Sequence, residues 1–290
     1  MLEAVLRQAT ATDRDAVLAL GVAEEQAWFG LAESSAEEIG EWVEDEGGIA
    51  TGVVAVDDAG RICAFAAPGR HESCVLIADP GRAAAAIDVL LPWLREHGAV
   101  QVMTFGGDRE RVAAFERHGL VHVRSSFSLA RLADAPALPE PWWPDGIDVV
   151  PYRLGDGDHA IHAMIYLDAA WASVPGHTYR DLDAWREAVR PGLRAFLARR
   201  DDEPVGWVAG RILDSGRGYI SGLAVACCER GRGLGRALLL HGFADLDAAG
   251  ANGLALDVQA TNHAALGLYH SVGLAVEREW RFYADPPRTP

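Results

Sequence analysis

At 290 residues the chain is long enough for one large domain or two of roughly 145 residues each. Half of it is apolar and 23% is charged, the composition of a globular protein with a sizeable core. With 26 basic against 42 acidic residues the formal charge is −16, which argues against binding nucleic acid through a basic surface, and no apolar run approaches the ~18 residues that cross a bilayer.

The first half opens with a short strand near Val5 and a helix over about 13–20. The run VVAVDDAGRICAF reads as a hairpin, with turn chemistry between Asp57 and Gly60. A strand (74–78), a helix (about 81–97), a strand (100–105), a helix (about 108–118) and a final strand region (120–131) follow. The stretch ADAPALPEPWWPDG, 133–146, carries four prolines and reads as a linker, with Trp142 and Trp143 expected to pack it onto a domain. The second half repeats the order. It has a strand over 148–152, helical segments between about 156 and 190, strands at about 194–200 and 204–213 around a DDEP turn, and a strand at 219–225. A helix (about 233–249), a strand (254–259), a helix (about 262–271) and a strand region (274–284) complete it.

The halves register at an offset of about 152 residues, so the repeat is a pair of duplicated domains rather than a solenoid. The expected division is a first domain over 1–132, a linker over 133–146 and a second domain over 147–290. Strands alternating with helices give the α/β class, with a mixed sheet flanked by helices in each domain.

The most informative stretch is ERGRGLGRALLLHGF, 229–243, which follows a strand and opens a helix. Arg230, Gly233 and Gly235 form an R-x-x-G-x-G pattern. A helix N-terminus offers backbone N–H groups without intrahelical partners, and the helix dipole adds positive charge there. Together they make an anion site, which glycines let a phosphate approach closely. Arg230, Arg232 and Arg236 place local positive charge in an acidic chain. On spacing alone, a tight turn with solvated arginines explains the loop as well. It is neither a dinucleotide fingerprint nor a P-loop.

LAVACCERGRGLGRALL resembles motif A of the GCN5-related N-acetyltransferases (GNATs), and TNHAALGLYHSVGL, 261–274, resembles their motif B, with Asn262, Tyr269 and Gly273 in place. The tandem layout is similar to the two-domain branch that includes mycothiol synthase. The resemblance implies two tandem GNAT-like domains, each a mixed, mostly antiparallel sheet flanked by helices. It implies acetyl-CoA as cosubstrate, no metal, and transfer of an acetyl group to a primary amine in the second domain. The backbone of Leu223, Ala224 and Val225 would pair with the pantetheine arm. The pyrophosphate would sit on the amides of Arg230, Gly231, Arg232, Gly233, Leu234, Gly235 and Arg236. Asn262 would cap its helix or contact the cosubstrate. Tyr269 would protonate the departing thiolate, or else fill the helix–sheet interface.

Many relatives carry a glutamate on the strand before the loop, where this chain reads YISGLAV with Ser221 and no acid. Asp257 and His177 are the candidate bases, against plain readings as a strand-end carboxylate and a surface histidine. Trp171, Tyr179 and Trp185 either shape the acceptor site or belong to the core.

Applied to the loop, the 152-residue offset sets Arg230 on Ala78, Arg232 on Pro80, Gly233 on Gly81 and Gly235 on Ala83. The cation is lost, and a proline removes a donor. In the last helix AAFERHGL aligns with GLYHSVGL, at a slightly larger offset, which sets Phe115 opposite Tyr269, filling the space without a hydroxyl. The first domain is therefore expected to be a non-catalytic copy.

Cys63, Cys74, Cys227 and Cys228 match no zinc spacing and read as reduced thiols, the last two as small buried ones. With no basic segment and apolar stretch at the N-terminus, a cytoplasmic protein is expected. Its partner would be a small-molecule amine acceptor, with no nucleic acid and no membrane, and the chain a monomer or homodimer. The reading from another class is a non-catalytic acyl-CoA-binding module. Within the enzyme class, a mycothiol synthase-like activity stays open.

Overall fold

The structure, a computed structural model, describes residues 4–69, 74–99, 101–131, 136–168, 179–188 and 192–286. In the first half, β1 (Val5–Gln8), β2 (Val53–Val56), β3 (Ile62–Pro68) and β4 (Cys74–Ala78) form an antiparallel sheet in that order. Its inner strands are apolar at every position because both faces are covered. α1 (Arg14–Phe29) and α2 (Ala36–Asp45) bury Val17, Leu18, Ile39 and Val43 against Val54, Phe65 and Ile77. After α3 (Ala83–Glu96) come β5 (Gln101–Phe105) and α4 (Arg109–Arg117). The two helices bury Ile87, Leu90, Leu94 and Phe115 against Val53, Ala64 and Leu76. Each such side chain contributes about 1.5–3 kcal/mol by leaving water.

Local chemistry sets the helix ends. The Ser35 hydroxyl accepts from the Glu38 amide at 3.1 Å, and the Glu38 carboxylate accepts from the Ser35 amide at 3.2 Å. This capping box starts α2 and is worth ~1 kcal/mol. α1 stops at Gly30, whose φ of 80° is the left-handed conformation that suits glycine.

In the second half the strands are β6 (Val121–Arg131), β7 (Ile147–Pro151), β8 (Arg194–Arg200), β9 (Glu203–Ile212), β10 (Gly218–Val225) and β11 (Leu254–Gln259). They lie in the order β6-β11-β10-β9-β8-β7, antiparallel except for the parallel pair β10/β11. α5 (Asp158–His162) runs on as a π-helical turn (Ala163–Leu167), and α6 (Leu182–Ala188) follows. This side packs Ile161, Met164 and Trp185 against Leu197 and Trp207. α7 (Leu234–Ala248) and α8 (His263–Ser271) bring Leu238, Leu239, Phe243 and Tyr269 into the core with Val208, Ile220 and Val258. β12 (Leu274–Ala284) ends the described chain's regular structure.

These mixed, mostly antiparallel sheets flanked by helices are the expected α/β architecture. The chain divides into two compact units, Met1–Ser125 with Arg278–Pro290, and Ser126–Glu277. Those boundaries differ from the expected 1–132, 133–146 and 147–290. β6 pairs with β11 from Ala255↔Ala130 to Gln259↔Ser126, inside the second unit. β12 pairs with β5 from Trp280↔Phe105 to Ala284↔Gln101, inside the first. Each half's last strand thus completes the other unit. Duplicated strands of similar pattern can occupy either of two equivalent slots, the physical basis of swapped elements. Among the described residues no helix is long and apolar enough to cross a membrane.

Candidate active site

The site lies in the second unit, where the sheet opens. β10 pairs with β9 from Gly218↔Ile212 to Val225↔Gly206, but with β11 only from Gly218↔Leu254 to Ile220↔Leu256. Past Ile220 no described strand pairs with the β11-facing edge of β10, so the backbone there is open to another chain-like partner. A β-bulge between Ile220 and Gly222 marks the fork. Gly222 is required there: a Cβ would stand 2.4 Å from Cζ3 of Trp207.

The open edge leads into the loop before α7. A 3-10 turn, Cys227–Glu229, comes first, then Gly231 and Gly233 at φ 75° and 89°. Those left-handed conformations would strain any side chain. The first helical bond runs from the Ala237 amide to the Gly233 carbonyl at 3.0 Å. The amides of Gly231, Arg232, Gly233, Leu234, Gly235 and Arg236 donate to no described residue. Six uncommitted N–H groups at the positive end of a 15-residue helix form an anion cradle.

Arg230 is turned away from that cradle. Its guanidinium pairs with Asp168 at 3.0 Å, and its Nε donates to the Val225 carbonyl at 3.1 Å. Arg232 lies 3.6 Å from Glu229, itself buried and held by Arg200 at 2.8 Å. Arg236 makes no ion pair among the described residues and stands ready for an anion.

Three groups surround the fork. Tyr269 is only 8% exposed, yet its hydroxyl bonds to no described residue, and burial pushes the phenol up to about 12. The group is therefore a neutral proton donor at physiological pH. Asp257 is the first residue of β11 beyond the last pair with β10, and accepts from the Tyr219 hydroxyl at 3.0 Å. Burial and the neighbouring Asp257 carboxylate push Tyr219 well above the ordinary phenol range, with a smaller contribution from Tyr269. Beside the fork, His162, Tyr166, Tyr179 and Trp185 form an aromatic cluster with centroids 5.0 to 6.5 Å from His162.

Residues 161–274 match the acetyltransferase (GNAT) family. A mycothiol acetyltransferase of Rhodococcus jostii is 30% identical over 258 residues, 79% of each chain. The chain belongs to the GNAT acetyltransferase family. A GNAT protein of Sphaerobacter thermophilus shares the fold at a TM-score of 0.74, with 24% identity over 97% of this chain and 94% of that one. A tandem GNAT protein from the clavulanic acid biosynthesis pathway does so at 0.68, with 15% identity over 99% and 100%. A tandem GNAT acetyltransferase is an acyl-transferring enzyme, and the family as a whole uses acetyl-CoA.

Within this GNAT chain the structure brings together most of the residues singled out from sequence. Leu223, Ala224 and Val225 line the open edge, residues 231–236 form the cradle without Arg230, whose amide donates to the Cys227 carbonyl at 3.4 Å, and Tyr269 and Asp257 lie at the fork. Asn262 caps α8, accepting from the Ala265 amide at 3.1 Å. Trp185 is core, whereas Tyr179 is exposed. His177 and Trp171 lie outside the described residues. Among the described residues no group of His, Cys, Asp or Glu is arranged to hold a metal.

Three expectations change. Cys227 and Cys228 are exposed, not buried, because the 3-10 turn carries them to the surface of the loop. Trp142 is 69% exposed while Trp143 alone packs into the core. The ungapped 152-residue register fails at the loop. Ala78 ends β4 and α3 starts at Ala83, so the first unit has four intervening residues where the second has eight between Val225 and Leu234.

In that shortened turn the Asp79 carboxylate accepts from the Gly81 amide at 3.0 Å, filling the anion position with the protein's own side chain. Arg111, 1% exposed, pairs with Glu24, and its Nη1 lies 3.3 Å from the Leu76 carbonyl on β4. The β4 edge is thereby occupied, and Phe115 is fully buried at the position corresponding to Tyr269.

Sequence reasoning missed Tyr219 and Asp168. Tyr219 carried a readable signal, an aromatic hydroxyl on the strand beside the candidate base Asp257. Asp168 carried none, since its partner Arg230 is 62 residues away.

Proposed function

We propose that the second unit transfers an acetyl group from acetyl-CoA to a primary amine of a small molecule, and that the first unit neither binds acyl-CoA nor catalyses. The observation that carries this is the open β10 edge running directly into six uncommitted amides. An extended arm ending in a diphosphate fits that sequence of donors, first strand-like and then anion-binding. The residues present therefore suit acetyl-CoA: Leu223, Ala224 and Val225 for the arm, the amides of residues 231–236 with Arg236 for the diphosphate. When bound, the cosubstrate supplies an activated acetyl thioester.

The chain's own groups do the rest. Tyr269 holds a proton at its hydroxyl beside the fork and gives it to the departing sulfur. Its raised pKa keeps that proton in place at neutral pH. Asp257, oriented by the Tyr219 hydroxyl, takes the proton that the attacking ammonium must lose, directly or through water; His177 is the other candidate for this step. The aromatic cluster around His162 excludes water from the acceptor side. Holding amine and carbonyl in an attack geometry provides most of the acceleration.

The relatives named mycothiol acetyltransferase support the amine acceptor of mycothiol formation as the first to assay. The test is calorimetric binding of acetyl-CoA together with thiol release over a panel of amines. Gly233→Asp is expected to abolish binding. Tyr269→Phe is expected to lower kcat about 10²- to 10⁴-fold with Kd unchanged. A wild-type protein that fails to bind acetyl-CoA refutes the proposal.

A further inference from the structure

We propose that Trp142 is the stacking platform for the adenine ring of the cosubstrate, a purine subsite supplied by the segment between the two repeats. The inference rests on the acetyl-CoA reading above and assigns a residue that neither the loop motif nor the catalytic groups account for.

Two adjacent tryptophans behave in opposite ways. Trp143 packs against the core on α7, with its ring centroid 5.7 Å from that of His241. Trp142 points outward, and its ring edge lies 3.5 to 3.6 Å from where a Cβ on Gly233 would stand. It remains 69% exposed, and no other described ring pairs with it. Gly233 is the cap of the amide cradle, so the free indole borders the proposed diphosphate position. A side chain on Gly233 would separate the two.

The platform is held in place. Leu138 packs into the same core as Trp143. The Asp145 carbonyl accepts from Arg200 at 2.7 Å, and the Ile147 amide donates to the Pro144 carbonyl at 3.2 Å. Pro141 and Pro144 fix φ on either side of the tryptophan pair. A flat aromatic surface presented by a pinned backbone costs little entropy on binding. An indole left in water is better covered by another flat ring. A purine carried a short distance beyond a diphosphate is such a ring. Arg232, exposed on the same loop, adds the cation that a phosphorylated nucleoside needs.

The experiment compares two ligands on the full chain by calorimetry: acetyl-CoA, and acetyl-4′-phosphopantetheine, which lacks the 3′-phosphoadenylate portion, the adenosine together with one phosphate of the diphosphate. Trp142→Ala is expected to raise Kd for acetyl-CoA about 30-fold, the middle of the range for base–aromatic stacking, and to leave Kd for acetyl-4′-phosphopantetheine unchanged. Trp142→Phe, which keeps a smaller ring, should lose less than about 3-fold. Both variants should keep the wild-type melting temperature and kcat at saturation. Unchanged acetyl-CoA binding in Trp142→Ala, or an equal loss for both ligands, overturns the subsite while leaving the cosubstrate assignment standing. A wild-type chain that binds neither ligand overturns both.

Discussion

Replacing Asp168 by asparagine should tighten acetyl-CoA binding. Arg230 is committed twice, to Asp168 at 3.0 Å and to the Val225 carbonyl at 3.1 Å. If Arg230 is to face a diphosphate and the Val225 carbonyl is to pair with the pantetheine arm, both contacts must break. Part of the binding energy is then spent on opening the site. A partly exposed ion pair is worth about 0.2–1 kcal/mol, and Asp168, with its side chain 15% exposed, places this one near the top of that range. Removing the competing charge should lower Kd about 3- to 5-fold. Arg230→Ala removes the competitor and the phosphate partner together, so it should weaken binding by about 10-fold. Calorimetry at low and high salt checks both, since the Asp168 effect should shrink as screening rises. Unchanged or weaker binding in Asp168→Asn would mean that Arg230 does not change partners, and the reasoning fails.

Four further outcomes follow from the same geometry. Arg111→Leu leaves Glu24 charged and buried without its partner, so it should cost about 3–5 kcal/mol in urea unfolding; adding Glu24→Gln should recover most of this. Tyr269 ionises near 12 when folded against ~10 when unfolded, so the folded state retains a proton that the unfolded chain releases. Its stabilisation is complete below pH ~10 and is lost as pH rises towards 12, and Tyr269→Phe should flatten that alkaline limb in a pH series of urea midpoints. Iodoacetamide should label exposed Cys227 and Cys228 in the native protein before buried Cys63 and Cys74, whose thiols burial pushes up, Cys74 to about 12. Acetyl-CoA should slow labelling of the loop pair, and equal labelling of all four by mass spectrometry would contradict the burial described.

The candidate site was legible to the extent that its chemistry is local. An N-terminal cradle needs glycines and a following helix within a few residues, and 229–243 spells both out. Asn262 could be read as a cap because a cap reaches only three residues ahead. The missing hydroxyl in the first unit was visible from Phe115, although an ungapped register misplaced Ala78 and hid the shortening of the turn. Tyr219 with Asp257 spans 38 positions and Arg230 with Asp168 spans 62, so neither pair leaves a periodic trace.

By itself the sequence determined most of the strands and helices, though not α2 or the second half of α1, together with the duplication and the glycine-rich turn before α7, since each depends on residues close in the chain. The tertiary structure decided three things that depend on partners far away. It sent the ends of β6 and β12 into the opposite units, because two similar tails fit two similar slots. It parted β10 from β11 after Ile220, because strand pairing is a property of two chains meeting and not of either alone. It packed Trp143 against the core and left Trp142 in water, because only the packed helix beneath them distinguishes two identical side chains.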